Sequence, residues 1–271
     1  MLRTLCTLTH HAATRQEPCA RSGVEDAAAW RGPASSILVA VRQPLRPTHL
    51  SEPAERTLQA LADAGLGHAI SLGGALGLLH YLDYRSTHDV DAWWAPSVSA
   101  KDRERVLQVI REALQTGGDI RTRQWGEVVS LELVVTGMTV FSFQIAERSA
   151  QLEPSSTLSW TDVSIDSLPD LVASKMVALV ERGAPRDFRD IYALCHSGLM
   201  TAGECWSLWR LRQQRAGSDT DAHRARLALS THLSRIAQHR PLANITEPDQ
   251  RVEAAFLRTW FTTEFLDALV D

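Results

Sequence analysis

The chain has 271 residues, 44% hydrophobic and 22% charged, with a formal net charge of −4. That length accommodates one large or two modest domains with ample core, and the mild negative charge argues against non-specific coating of nucleic acid. No apolar run approaches a membrane span and no signal-peptide pattern opens the chain, so the expectation is a cytoplasmic protein.

Residues 1–50 mix arginine, proline and alanine around one strand-like run, Ile37–Val41, and are read as a poorly defined extension. The His10–His11 pair lacks further ligands at metal-binding spacing. Ser51-Glu52-Pro53 starts a helix that carries Leu58, Leu61 and Ala62 to Gly65. A short strand is expected over His68–Leu72, then the Gly73–Gly74 turn, a helix from Ala75 to about Leu82, and a strand containing Asp89 and Asp91. Ser99 to about Gly117 has the spacing of an amphipathic helix, with Val106, Val109, Ile110 and Leu114 on one face. Strands follow at 119–124, 128–135 and 138–146, with Thr136–Gly137 as a hairpin turn, and a weaker one lies within Leu158–Ile165. From Ser167 the pattern is helical: to about Arg182, 186–196, 202–215, 219 to about 239 and 250–270. The last carries Phe256, Trp260, Phe265 and Leu269 as an expected core stripe. This order gives a sheet with helices packed against it, residues 51–166, followed by a helical part, residues 167–271.

The chemistry concentrates in two places. In a strand Asp89 and Asp91 share a face while Val90 points away. Two neighbouring carboxylates repel, and a site that keeps both ionised usually supplies cations. The glycine turn at a helix start offers backbone N–H groups to a phosphate. Each motif read alone is also a tight turn or a chance pair. The second place is helical. Lys175 falls on an apolar stripe with Leu168, Leu171, Val172 and Leu179. Only Lys101 and Lys175 are lysines among 28 basic residues, so a compact point charge has been kept there. A partly buried lysine beside a carboxylate is the alternative. Asp187 and Asp190 follow, three apart on a helix; Asp187 could simply favour the helix dipole, whereas Asp190 lies too far in to cap. The cysteines Cys6, Cys19, Cys195 and Cys205 have no CxxC spacing, and Cys195 reads as a small core residue.

Gly73-Gly74-Ala75-Leu76, Arg85-x-Thr87-x-Asp89-Val90-Asp91, Lys175-x-x-Ala178-Leu179 and Arg186-Asp187-Phe188-x-Asp190-Ile191-Tyr192 together resemble the AbiEii/AbiGii toxin family of the DNA polymerase β-like nucleotidyltransferases. The resemblance runs from about Ser51 to Leu194. It implies an α+β nucleotidyltransferase fold, a mixed sheet with flanking helices followed by a helical C-terminal half. It also implies an NTP substrate with Mg²⁺, and a toxin made beside a cognate antitoxin. Some relatives add nucleotides to tRNA 3′ ends, which makes tRNA the suggested acceptor. On this reading Asp89 and Asp91 hold the metal, Lys175 and Asp190 complete the catalytic set, and Gly73, Gly74, Arg85, Thr87, Arg186 and Asp187 contact the nucleotide. Two departures stand out. Ala75 replaces a common hydroxyl residue, and Gln144 occupies the place where the superfamily carries a third acid. A catalytically impaired nucleotide- or RNA-binding homologue and transfer to a small molecule are the alternatives.

Overall fold

Strand alternation decides which face of the central sheet is buried. In the computed structural model, which describes residues 43–269, β2 (Asp89–Trp94) buries Val90, Ala92 and Trp94 and turns Asp89, Asp91 and Trp93 to the other side. The next two strands on one side repeat the pattern. β4 (Val128–Val135) buries Leu131 and Leu133, and β5 (Met138–Ala146) buries Phe141, Phe143 and Ile145. Two helices cover this apolar face. α1 (Glu52–Asp63) contributes Ala54, Leu58 and Leu61, and α3 (Ala100–Gln115) contributes Val106, Val109, Ile110 and Leu114. The Ser99 side chain accepts from the Asp102 amide and caps α3, a device worth about 1 kcal/mol.

The sheet is completed by β1 (Ile70–Leu72), β3 (Asp119–Trp125), β6 (Ser156–Thr157) and β7 (Ser164–Ile165), in the order β3-β4-β5-β2-β1-β7-β6. Pairing is mixed: β2 runs parallel to β5 and β1 parallel to β7, while the other neighbours are antiparallel. The register sets polar residues in rows across the open face. Asp89 pairs with Ser142, itself opposite Glu132, and Asp91 pairs with Gln144, itself opposite Ser130. Thr136 and Gly137, at φ 51° and 82°, form the β4–β5 turn, a geometry that matches the right-handed twist of the strands.

The remaining helices are α2 (Gly74–Leu79), α4 (Leu168–Glu181), α5 (Pro185–His196), α6 (Ala202–Arg215), α7 (Ala222–His239) and α8 (Pro248–Trp260). α4 joins the two halves. A side chain at Gly77 would lie 2.5 Å from Leu171 Cδ2, so this glycine lets α2 and α4 approach closely. On its other side α4 packs against α6.

Several expectations need correction. The weaker strand expected within Leu158–Ile165 is the short β7, which pairs as a hairpin with β6 just before that range, the connection passing through Asp162 at φ 52°. The first strand begins only at Ile70, after a 3₁₀ turn over Gly67–Ala69, and the helix after the glycines stops at Leu79. The final helix ends at Trp260 and widens into a π-helical turn over Phe261–Phe265. Phe261 and Phe265 are fully buried, but Phe256 is 65% exposed and stands outside the core stripe. Residues 43–50 are tied down: the Leu45 amide donates to the His80 carbonyl at 2.7 Å and the Thr48 amide to Asp83 Oδ2 at 2.8 Å. Ile37–Val41 and His10–His11 lie outside the described residues. Among the described residues no helix is long and apolar enough to cross a membrane.

Candidate active site

The open face of β2 and the first turn of α2 meet at Gly74. Its φ of 55° is a left-handed conformation, and a Cβ there would lie 2.1 Å from Asp91 Oδ2. Only glycine combines that backbone angle with that proximity. The Gly73 N–H is already taken, donating to the Asp91 carbonyl at 2.8 Å. Any phosphate contact therefore falls to the first-turn amides of α2 from Gly74 onward, which have no acceptor within the helix.

Asp89 and Asp91 share the open face, as their spacing predicts, yet their surroundings differ. Asp89 accepts from the Ser142 hydroxyl at 2.8 Å, and Arg186 Nη1 lies 3.7 Å from its other oxygen. Among the described residues no side chain hydrogen-bonds or ion-pairs with the Asp91 carboxylate. Burial pushes the Asp91 carboxyl above the ordinary carboxylate value; Lys175 opposes this and the neighbouring Asp89 adds to it. Thr87 sits at the entrance to β2, its hydroxyl 3.3 Å from the Asp89 amide, and so shapes the strand start.

The helical pair is the electrostatic opposite. Asp187 and Asp190 on α5 are both fully buried. Lys175 Nζ, 7% exposed, lies 2.9 Å from Asp190 Oδ2 and 3.3 Å from Asp187 Oδ1. Arg182 grips Asp187 through Nε at 2.9 Å and Nη2 at 3.0 Å. Arg85 grips Asp190 likewise at 2.8 and 3.1 Å, and the Tyr84 hydroxyl adds a bond of 2.6 Å. Burial alone would raise both carboxyls. The Arg182 fork and Lys175 at Asp187, and the Arg85 fork, Lys175 and Tyr84 at Asp190, outweigh it and hold both below the ordinary value. Tyr84 is pushed up in turn, by burial and then by the Asp190 charge.

The structure thus brings Asp89, Asp91, Lys175, Asp187, Asp190 and Arg186 around one region. Arg85, expected at the nucleotide, instead commits its fork to Asp190, leaving only Nη1, which donates to the Ser86 carbonyl at 3.0 Å. Asp187 does not serve merely as a dipole partner; it anchors Arg182 and Lys175. Three cations thus face two helical carboxylates, and Lys175 directs part of its charge toward Asp91.

A family model described as nucleotidyl transferase AbiEii toxin, type IV TA system, matches residues 56–260. The chain belongs to the AbiEii nucleotidyltransferase toxin family. No curated protein matches it. Among solved structures, an antigenic nucleotidyltransferase-like protein from Paracoccidioides brasiliensis is similar at 13% identity, over 78% of this chain and 95% of that chain, with a TM-score of 0.37; the assignment rests on the family match instead.

The AbiEii membership makes the chain a transferase, and it gives the open sheet face a reason to carry charge. Sequence reasoning missed a second buried ionic group on that face. Ser71, paired with Trp93, donates to Asp166 Oδ1 at 2.6 Å, and Arg148 donates to the same oxygen while lying over the Trp93 ring at 5.8 Å. Asp170 accepts the Leu152 and Glu153 amides at 2.7 and 2.8 Å and faces Arg212 Nη1 at 3.5 Å. This group fixes the 147–153 segment between β1 and the helices α4 and α6. Asp170 carried a signal, through the Ser167-x-x-Asp170 helix start; Arg148 lies in a loop without periodicity and carried none.

Proposed function

We propose that this AbiEii-family protein transfers a nucleoside monophosphate from an NTP to a hydroxyl acceptor with release of pyrophosphate, in the cytoplasm. The single observation that carries the reading is Asp91: a carboxylate beside Asp89, with no side-chain hydrogen bond or ion pair among the described residues, raised in pKa at the foot of a glycine turn. Such a pair fits a hard divalent cation, since an oxygen-liganded ion relieves both the repulsion and the burial cost. Asp89 and Asp91 would hold Mg²⁺. When bound, that ion supplies charge stabilisation for the attacking and leaving oxygens.

The chain's own residues do the rest. The amides at the start of α2 from Gly74 onward seat the outer phosphates. Lys175, held between Asp187 and Asp190, lends positive charge to the triphosphate. Arg186, 58% exposed beside Asp89, is placed to meet a phosphate entering from solvent. Arg85, Asp187 and Asp190 orient Lys175. In this arrangement residues 51–166 form the nucleotidyltransferase core and residues 167–271 complete the cleft. The acceptor suggested by the family is tRNA, and a cognate antitoxin is the expected protein partner.

Gln144 supports a second reading. It lies in register beside Asp91 and brings an amide where a third acid would complete the set; a homologue that binds nucleotide without turnover follows from that substitution. One experiment separates the two. Incubation with labelled NTPs, Mg²⁺ and total tRNA should label RNA with the wild type and lose about 10²–10³-fold in rate with Asp89→Ala, the scale of removing one preorganised electrostatic contact. Equal labelling by both proteins would sink the assignment. NTP binding without labelling of any acceptor would select the second reading.

A further inference from the structure

Away from the open sheet face, two thiols meet. Cys195 lies near the end of α5 and Cys205 near the start of α6, with their Sγ atoms 3.8 Å apart. The chain reverses between them through Gly198 at φ 72°, and a reciprocal cap between Thr201 and Glu204 fixes the start of α6 just before Cys205. Contrary to the core position expected for it, Cys195 is partly exposed, whereas Cys205 is buried. Cys195 opens into a groove of about 720 Å³ that it lines with Tyr192, His196 and Trp260. One sulfur is therefore accessible to a small oxidant, and the second stands directly behind it.

We propose that Cys195 and Cys205 are an oxidisable pair, in which a peroxide acts on Cys195 and Cys205 then closes a reversible disulfide that ties α5 to α6. In the first step the Cys195 sulfur attacks one peroxide oxygen. The O–O bond breaks, the S–O bond forms, and with hydrogen peroxide the products are a sulfenic acid and water. In the second the Cys205 sulfur attacks the Cys195 sulfur. The S–S bond forms, the S–O bond breaks, and the hydroxyl leaves as water with the Cys205 proton. A dithiol reverses the bond by exchange. The order follows from the surroundings: the hydrogen bond to Cys195, and then burial, push the Cys205 thiol up, which makes it the resolving partner. Closure requires the sulfurs to move from 3.8 Å to about 2.05 Å, a step that side-chain rotation and a small approach of the two helices can supply. The staple would join the helix that carries Asp187 and Asp190 to α6, which packs on the helix of Lys175.

The test uses the full chain with Cys6→Ser and Cys19→Ser, so that only this pair remains. The protein is treated with hydrogen peroxide, free thiols are alkylated, and the digest is read by mass spectrometry. The expected result is a Cys195–Cys205 linked peptide that disappears after dithiothreitol, accompanied by a higher Tm of the oxidised protein. Cys195→Ser, at a partly exposed position, should fold and give no link. Cys205→Ala should leave Cys195 as a sulfenic acid that dimedone captures. Two alkylated thiols after oxidation, a sulfinic acid at Cys195 without any link, or a link formed only in denaturant would each overturn the proposal.

Discussion

The two aspartate pairs of this molecule contain the same chemistry in opposite settings. Asp187 and Asp190 are fully buried, yet each is surrounded by donors and held below the ordinary carboxylate value. Asp91 keeps some solvent exposure, yet burial pushes its carboxyl upward because, among the described residues, no side chain hydrogen-bonds or ion-pairs with it. Burial alone therefore does not decide how a carboxylate titrates; the supply of cations and hydrogen-bond donors does. The helical pair is saturated from within and acts as a scaffold for Lys175. The sheet pair is left short of positive charge, and a ligand can supply it.

The largest expected effect breaks the scaffold. Asp190→Ala leaves the buried Lys175 with one of its two carboxylates and the partly buried Arg85 with none among the described residues. Removing one member of a buried ionic group costs about 3–5 kcal/mol. Urea denaturation should show that loss. Asp91→Asn should do the reverse: lose transfer activity while keeping a Tm no lower than wild type, because the ionised carboxylate it removes is held at a cost. A Tm for Asp91→Asn that falls as far as that of Asp190→Ala would erase the contrast between the pairs.

Acid titration sharpens the same contrast. Asp187 and Asp190 have folded values below the unfolded reference of 3.8, so their contribution is complete above that pH and drains away as pH falls through the lower folded values. Asp91 has a folded value above 3.8, so the protein loses stability as pH rises through the interval between the two. In a series of Tm against pH, the gap between wild type and Asp190→Asn should close in acid. The gap between Asp91→Asn and wild type should open as pH rises above 3.8.

Much of this arrangement is legible in the sequence because it rests on short-range rules. The alternation of Asp89, Val90 and Asp91 fixes which side chains share a face, and the i, i+3, i+4 spacing around Lys175 puts it on the buried side of α4. The partnership of Arg85 with Asp190 spans 105 positions, and no periodicity links such distant residues. Arg148 and Asp166 were invisible for the same reason. Phe256 shows the converse failure: its helical spacing with Trp260 is correct, but no residue of α8 is fully buried, and Phe261 and Phe265 of the π-helical turn take the core while Phe256 faces solvent.

An intermediate effect tests how closely the glycine turn and the sheet pair are coupled. Gly74→Ala places a methyl within 2.1 Å of Asp91 Oδ2 and forces an L side chain to φ 55°. The backbone strain costs about 1–3 kcal/mol. The displaced carboxylate should also cut transfer activity. Ala75→Gly, at a neighbouring buried position with ordinary helical backbone, should lack the activity loss. Equal activity losses in the two variants would show that the turn matters only as a fold element.

The smallest expected effect comes from Arg186. Its guanidinium lies 3.7 Å from Asp89 with both side chains substantially exposed, at 58% and 43%. Ion pairs of this kind contribute about 0–1 kcal/mol, and Arg186→Ala should change the denaturation midpoint little. Arg182, although 52% exposed along its length, sends two hydrogen bonds to the buried Asp187, and its removal should cost more. The ordering, Arg182→Ala below Arg186→Ala in Tm, follows from the partner's burial and not from the exposure of either arginine. At the nucleotide the ranking should invert. Arg186→Ala should raise the KM for NTP because its guanidinium is free to turn from Asp89 to an incoming phosphate. Arg182, held in place by Asp187, should influence KM only through Lys175. If both variants lose stability equally, the saturated and unsaturated pairs differ less than their geometry says.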